Sequence, residues 1–117
     1  METTEQELFD ALTAYYKNDW RKTGQSRRDG IQVGNSKWHL IYAWMGHRSH
    51  NVFVYKHDEN YDLSKLAWDI HTRRGRNTEF TVHWGFHIGD INTVAKRKEF
   101  LARRLGRMNR YEVSEVA

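Results

Sequence analysis

Residues 37–45, Lys-Trp-His-Leu-Ile-Tyr-Ala-Trp-Met, constrain the fold more than any other segment of this chain. Successive side chains of a strand point to opposite faces, so Trp38, Leu40, Tyr42 and Trp44 share one face. His39, Ile41, Ala43 and Met45 share the other, and both faces lean apolar. Such a strand buries its surface only when both sides are covered, which puts it at the centre of a sheet.

The neighbouring segments supply the sheet and its cover. Ile31-Gln32-Val33 reads as a short strand and Gly34-Asn35 as a tight hairpin turn. Residues 46–50 read as a turn, and 51–57 as a strand rich in β-branched and aromatic residues. Residues 79–88 alternate most plainly, with Phe80, Val82, Trp84, Phe86 and Ile88 expected inward and Thr81, His83, Gly85 and His87 outward. A helix is expected over 4–22, opened by the capping box of Thr4 and Glu7 and stopped at Gly24. Its apolar face is Leu8, Phe9, Leu12, Tyr15, Tyr16 and Trp20. A second helix is expected over 62–74, capped by Asp62 and stapled by Tyr61 and Leu66. A third, over 91–106, takes Asp90 or Asn92 as its cap and turns Ile91, Val94, Ala95, Leu101 and Leu105 toward the core, ending near Gly106. The order is α-β-β-β-α-β-α: an α+β fold, one compact domain over 1–117 around a small, mostly antiparallel sheet. The ordered core is expected over about 4–106, with an acidic C-terminal tail over 111–117.

Composition removes several classes of function. The 117 residues include no cysteine and no proline. Without cysteine there is no disulfide, no thiolate nucleophile and no cysteine-held zinc or iron–sulfur cluster. At this length a domain buries roughly two-thirds of its unfolded surface, enough for a core without such staples. No apolar stretch approaches the ~20 residues of a membrane span, and no charged-then-apolar leader follows Met1. The expectation is a cytoplasmic protein that makes no membrane contact.

The net charge of +4 conceals an uneven distribution. Residues 1–20 hold five acids and one base, whereas residues 71–110 hold ten bases and three acids. Lys/Arg clusters attract phosphate by releasing condensed counterions, and guanidinium forks match phosphate oxygens bidentately. The expected phosphate contacts are Arg27 and Arg28 in a polar loop, then Arg73, Arg74, Arg76 and Asn77 at a helix end. Three arginines within four residues exceed what helix capping requires. Lys96, Arg97, Arg103, Arg104 and Arg107 on the last helix complete the set, with 96, 103, 107 and 110 close to one face.

Seven histidines and a 14% aromatic content raise further chemistry. His39, Tyr55, His57, His83 and His87 are candidate contacts on an open sheet face, where aromatic rings stack bases. Histidines converging on one cleft would suit general acid–base cleavage of RNA without a metal. Metal ligation has weak support, because His83 and His87 lie about 13 Å apart on an extended strand. The order α-β-β-β-α-β resembles the core of restriction-endonuclease-like nucleases, which implies Mg²⁺ held by an Asp near the second strand and an acid two residues before a Lys on the third. This chain departs from that pattern: Val54 stands two residues before Lys56, and 37–45 holds no carboxylate. No catalytic residue, metal or cofactor is therefore assigned.

These features favour a small, non-enzymatic, basic nucleic-acid-binding protein. Two alternatives remain open at this point. One is an interaction module docking on an acidic protein surface, such as a small phage-type inhibitor of a host protein or nucleoprotein; the other is a histidine-dependent nuclease.

Overall fold

The first helix, α1 (Glu5–Lys17), begins where the sequence places its cap. Thr4 Oγ1 accepts from the Glu7 amide at 3.1 Å, and the Thr4 carbonyl accepts from Leu8. Leu8, Ala11, Leu12 and Tyr15 form its buried face. In this computed structural model the described residues are 2–17, 30–45, 48–56, 62–63 and 80–116. The expected helix over 62–74 lies outside them apart from Asp62 and Leu63.

Four strands follow in an antiparallel sheet whose spatial order is their chain order: β1 (Ile31–Gln32), β2 (Trp38–Met45), β3 (Arg48–Lys56) and β4 (Phe80–Phe86). The β1–β2 turn is wider than a two-residue hairpin. Val33 donates to the Trp38 carbonyl at 2.9 Å, leaving residues 34–37 as the connection, and Ser36 Oγ donates to the Val33 carbonyl inside it. Gly34 adopts a φ of 57° in that turn, a left-handed value that glycine reaches without a Cβ clash. β2 and β3 pair from Trp38↔Tyr55 to Met45↔Arg48. The turn expected over 46–50 is thus shorter, because Arg48, Ser49 and His50 already belong to β3.

Both faces of β2 are covered, as its composition requires. On one face Trp38 and Leu40 join Phe53, Tyr55 and Phe86 against α1 and the C-terminal helix, α2 (Val94–Val116). The rings interlock there: Phe53 stacks on Phe86 at 5.5 Å, and Phe100 of α2 meets Phe86 at 4.9 Å. On the other face Ile41, Val52 and Val54 are fully buried. Each large apolar side chain removed from water contributes about 1.5–3 kcal/mol. Asn51 is the polar anchor inside, accepting from the Tyr15 hydroxyl at 2.8 Å and donating to the Phe86 carbonyl.

Three expectations are corrected at the C-terminal end. First, the β3–β4 register shifts between Phe53↔Trp84 and Val54↔Val82, so no single alternation runs from Phe80 to Ile88. An inserted residue breaks the two-residue period wherever it occurs. Second, β4 stops at Phe86, and Ile88 is 38% exposed in a 3₁₀ turn (Ile88–Asp90). Asp90 holds that turn: its amide donates to the His87 carbonyl at 2.9 Å, and its carboxylate accepts from the His87 amide. Third, α2 is capped by Thr93, whose Oγ1 accepts from the Lys96 amide, and it runs through Gly106 to Val116.

The extension past Gly106 has a tertiary cause. Met108 is fully buried, and Tyr111 meets Trp38 at 5.3 Å and Tyr55 at 4.9 Å. Asn109 exchanges two hydrogen bonds with the Thr3 backbone, 2.8 Å in and 3.0 Å out. A helical glycine costs about 1 kcal/mol relative to alanine, less than these contacts return. The same pairs tie the α2 C-terminus to the start of α1, so the two helices run antiparallel across the sheet. Among the described residues no helix is long and apolar enough to cross a membrane.

Candidate nucleic-acid interface

The outer face of α2 carries the clearest cation array. At 100° per residue, Lys96, Arg103, Arg107 and Arg110 fall within an arc of about 60°, and they extend over about 21 Å of helix. All four are exposed. Glu99 is the acid on this side, 3.9 Å from Arg103, with both side chains mostly in solvent, where such a pair contributes little. Lys96 also donates to the Gly89 carbonyl at 3.1 Å, bridging the 3₁₀ turn to the helix.

Arg97 and Arg104 occupy the neighbouring stripe, which faces inward. Arg97 is 5% exposed, so its expected role as a solvent-facing phosphate contact is replaced by one in packing. Its Nη1 donates to the Ile91 carbonyl at 2.9 Å, and its guanidinium lies 5.9 Å from the Phe9 ring and 5.5 Å from the Tyr16 ring. This explains the two α1 aromatics that the helical period assigned to the core. They flank a buried cation instead, and Tyr16 remains 42% exposed. The inward residues of α2 are Arg97, Phe100, Leu101, Arg104, Leu105 and Met108, whereas Val94 and Ala95 are exposed.

Arg104 is half-buried, with its guanidinium 5.5 Å from the Phe100 ring. Burial lowers its pKa, Arg103 and Arg107 lower it further, and Asp90 opposes them. Arg103 and Arg107 thus set like charge beside the Arg104 guanidinium on α2. A bound polyanion would relieve that repulsion.

Among the described residues, the expected sheet-face contacts Tyr55, His39 and His87 do not assemble into one surface. Tyr55 is buried, with its ring edge-on to Trp38 at 5.4 Å and to Tyr111, so it offers no face for a base. His39 is half-buried in the row of Val54 and Val82, while His87 lies just beyond Phe86 at the other end of β4. Two inter-strand spacings and about five residues of strand separate their backbones, on the order of 15–20 Å, too far for a concerted acid–base pair. His83 lies in β4 at the register shift. His57 falls outside the described residues, as do Arg27, Arg28, Arg73, Arg74, Arg76 and Asn77. Among the described residues no three His, Asp or Glu side chains gather as metal ligands.

Sequence reasoning missed a polar cleft of about 240 Å³ lined by Gln32, Asn35, Ser36, Lys37, His39 and Lys56. The Lys56 amide donates to the Lys37 carbonyl at 2.9 Å, and His39 Nδ1–H donates to that same carbonyl at 3.1 Å. The bond fixes the proton on Nδ1 and leaves Nε2 for a ligand. Burial holds the His39 pKa below its ordinary value; the bond to the Lys37 carbonyl works against this, and the Lys56 ammonium adds to the lowering. The missed signal was the hairpin register. Pairing that begins at Met45↔Arg48 brings Lys37 opposite Lys56, whereas a turn over 46–50 hides it.

Comparison with protein-family models, curated proteins and solved structures gives no match. The fold and its charge distribution therefore carry the functional argument.

Proposed function

We propose that this α+β domain binds nucleic acid non-enzymatically through the outer face of α2. The observation that carries the reading is the row of Lys96, Arg103, Arg107 and Arg110 on a helix held to the sheet by Phe100, Met108 and Tyr111. A rigid row of cations about 21 Å long spans several consecutive phosphates of a nucleic-acid strand. The crowding of Arg103, Arg104 and Arg107 supports the same reading, since it concentrates positive potential where a phosphate would sit. Arg73, Arg74 and Arg76 and the pair Arg27 and Arg28, which lie outside the described residues, belong to the proposal as additional phosphate contacts.

The test is fluorescence anisotropy with single-stranded and duplex oligonucleotides across a salt series. Binding should weaken linearly in log–log form, by about 0.9 per phosphate contact for duplex DNA and about 0.7 for a single strand. Absence of binding at low salt would overturn the reading and leave an acidic protein surface as the partner of this face.

A further inference from the structure

The cleft between the β1–β2 turn and the open end of the β2–β3 hairpin lies apart from α2. Trp38 and Tyr55 face the helices, so His39 and Lys56, their immediate neighbours in the strands, belong to the opposite face of the sheet. Among the described residues that line it are two ammonium groups and one imidazole, together with the amides of Gln32 and Asn35 and the Ser36 hydroxyl, and none of these six is a carboxylate. Lys56 is 9% exposed, so one of these charges sits in a largely desolvated position where Coulomb attraction is stronger than in water. The backbone around it is rigid: the Lys37 carbonyl receives both the Lys56 amide and His39 Nδ1–H, and Gln32 Nε2 donates to the Ser36 carbonyl at 3.0 Å.

We propose that this cleft binds the phosphoryl group of a phosphomonoester, with Lys37 and Lys56 as its charge partners and His39 Nε2 facing the phosphate oxygens. Size selects a small ligand or the end of a larger one, since pockets for drug-sized molecules begin at about 300 Å³. Charge selects a monoester, which carries about −1.5 to −2 at neutral pH and so engages both ammonium groups, whereas an internal diester carries a single charge. A partly enclosed recess also admits a terminal group more readily than a chain that must enter and leave. His39 Nε2 can accept from a protonated phosphate oxygen, or donate to an ionised one once the imidazole is itself protonated.

The experiment follows the His39 ring resonances by NMR while inorganic phosphate is titrated into the full chain. A saturable shift of His39 is expected, with affinity at least ~10-fold weaker in Lys37→Gln, an exposed position where the fold is not at stake. Lys56→Gln should act in the same direction, and unchanged strand resonances verify that it folds. Two further arms compare an oligonucleotide bearing a 5′-phosphate with the same strand lacking it. Saturation by the phosphorylated strand alone assigns the site to strand ends; saturation by phosphate and mononucleotides, with neither strand effective, assigns it to a free phosphorylated small molecule. A non-saturating His39 shift, or equal phosphate affinity in the wild type and Lys37→Gln, overturns the proposal without bearing on α2.

Discussion

Arg97 donates from Nη1 to the carbonyl oxygen of Ile91 at 2.9 Å, and with that bond a cation of α2 is turned into the protein. The rings of Phe9 and Tyr16 receive the rest of its guanidinium. Hydrogen bonds to charged groups contribute about 1.5–3 kcal/mol, and desolvated cation–π contacts up to about 2. Arg97→Met is therefore expected to destabilise the domain by about 2–4 kcal/mol in urea titration. Its nucleic-acid affinity, measured well below the unfolding transition, should stay within about twofold of wild type. A large affinity loss with unchanged stability would return Arg97 to the interface.

The exposed stripe behaves in the opposite way. Replacing Arg103, Arg107 and Arg110 together by Ala should leave stability nearly unchanged, since exposed substitutions usually stay within about 0.5 kcal/mol each. The slope of log affinity against log salt should fall by about 2–3 for duplex DNA if each contacts a phosphate. Arg73, Arg74 and Arg76 replaced by Ala form the matched comparison, removing the same charge. Equal losses from both triples would mean diffuse attraction, and a larger loss from one marks the geometric contact.

Two glycines should respond with opposite sign. A Cβ at Gly106 would meet only Arg110 Nη1 at 3.5 Å, an ordinary contact, and the site is helical and exposed. Gly106→Ala should then stabilise by about 0.5–1 kcal/mol, raising the thermal midpoint by several degrees. Gly34 has a φ of 57°, and the Glu7 carboxylate occupies the space a Cβ would take. Gly34→Ala should destabilise by about 1–2 kcal/mol, because alanine resists the left-handed region. Parallel calorimetry of the two variants decides both signs.

His39 should make stability depend on pH. Its folded pKa lies below the ordinary 6.5, with burial the main cause. As pH falls through about 6.5 the unfolded chain gains a proton that folded His39 does not take up, so stability falls. The loss ends once pH drops below the folded pKa. His39→Asn keeps a donor for the Lys37 carbonyl but cannot titrate. The stability difference between wild type and this variant, measured in phosphate-free buffer, should therefore shift against wild type between pH 7.5 and 5. A constant difference would place His39 in a solvated site.

Much of the fold was legible because it is written in short-range patterns. Thr4 and Glu7 announce the start of α1, and Leu8, Leu12 and Tyr15 recur at the helical period that buries them. The two-faced apolar character of β2 placed it inside the sheet with both sides covered. Of the expected interface, helical spacing alone put Lys96, Arg103 and Arg107 on one stripe of the last helix. Spacing could not say which of two adjacent basic stripes faces water. Arg97 and Arg103 look alike in sequence, and only the position of α1, with Phe9 and Tyr16 waiting, separates them.

The sequence by itself determined the α+β class, the helix start at Thr4, the central place of β2 and the concentration of cations in the last helix. These depend on periodicity, capping chemistry and charge within a few residues of one another. Tertiary structure alone decided that α2 passes Gly106, that β4 shifts register between Val82 and Trp84, that Arg97 is buried, and that Lys37 meets Lys56 beside His39. The physical reason is common to all four. Each outcome depends on contacts between segments distant in the chain; at Gly106 the burial of Met108 and the ring contacts of Tyr111 outweigh a local cost of about 1 kcal/mol.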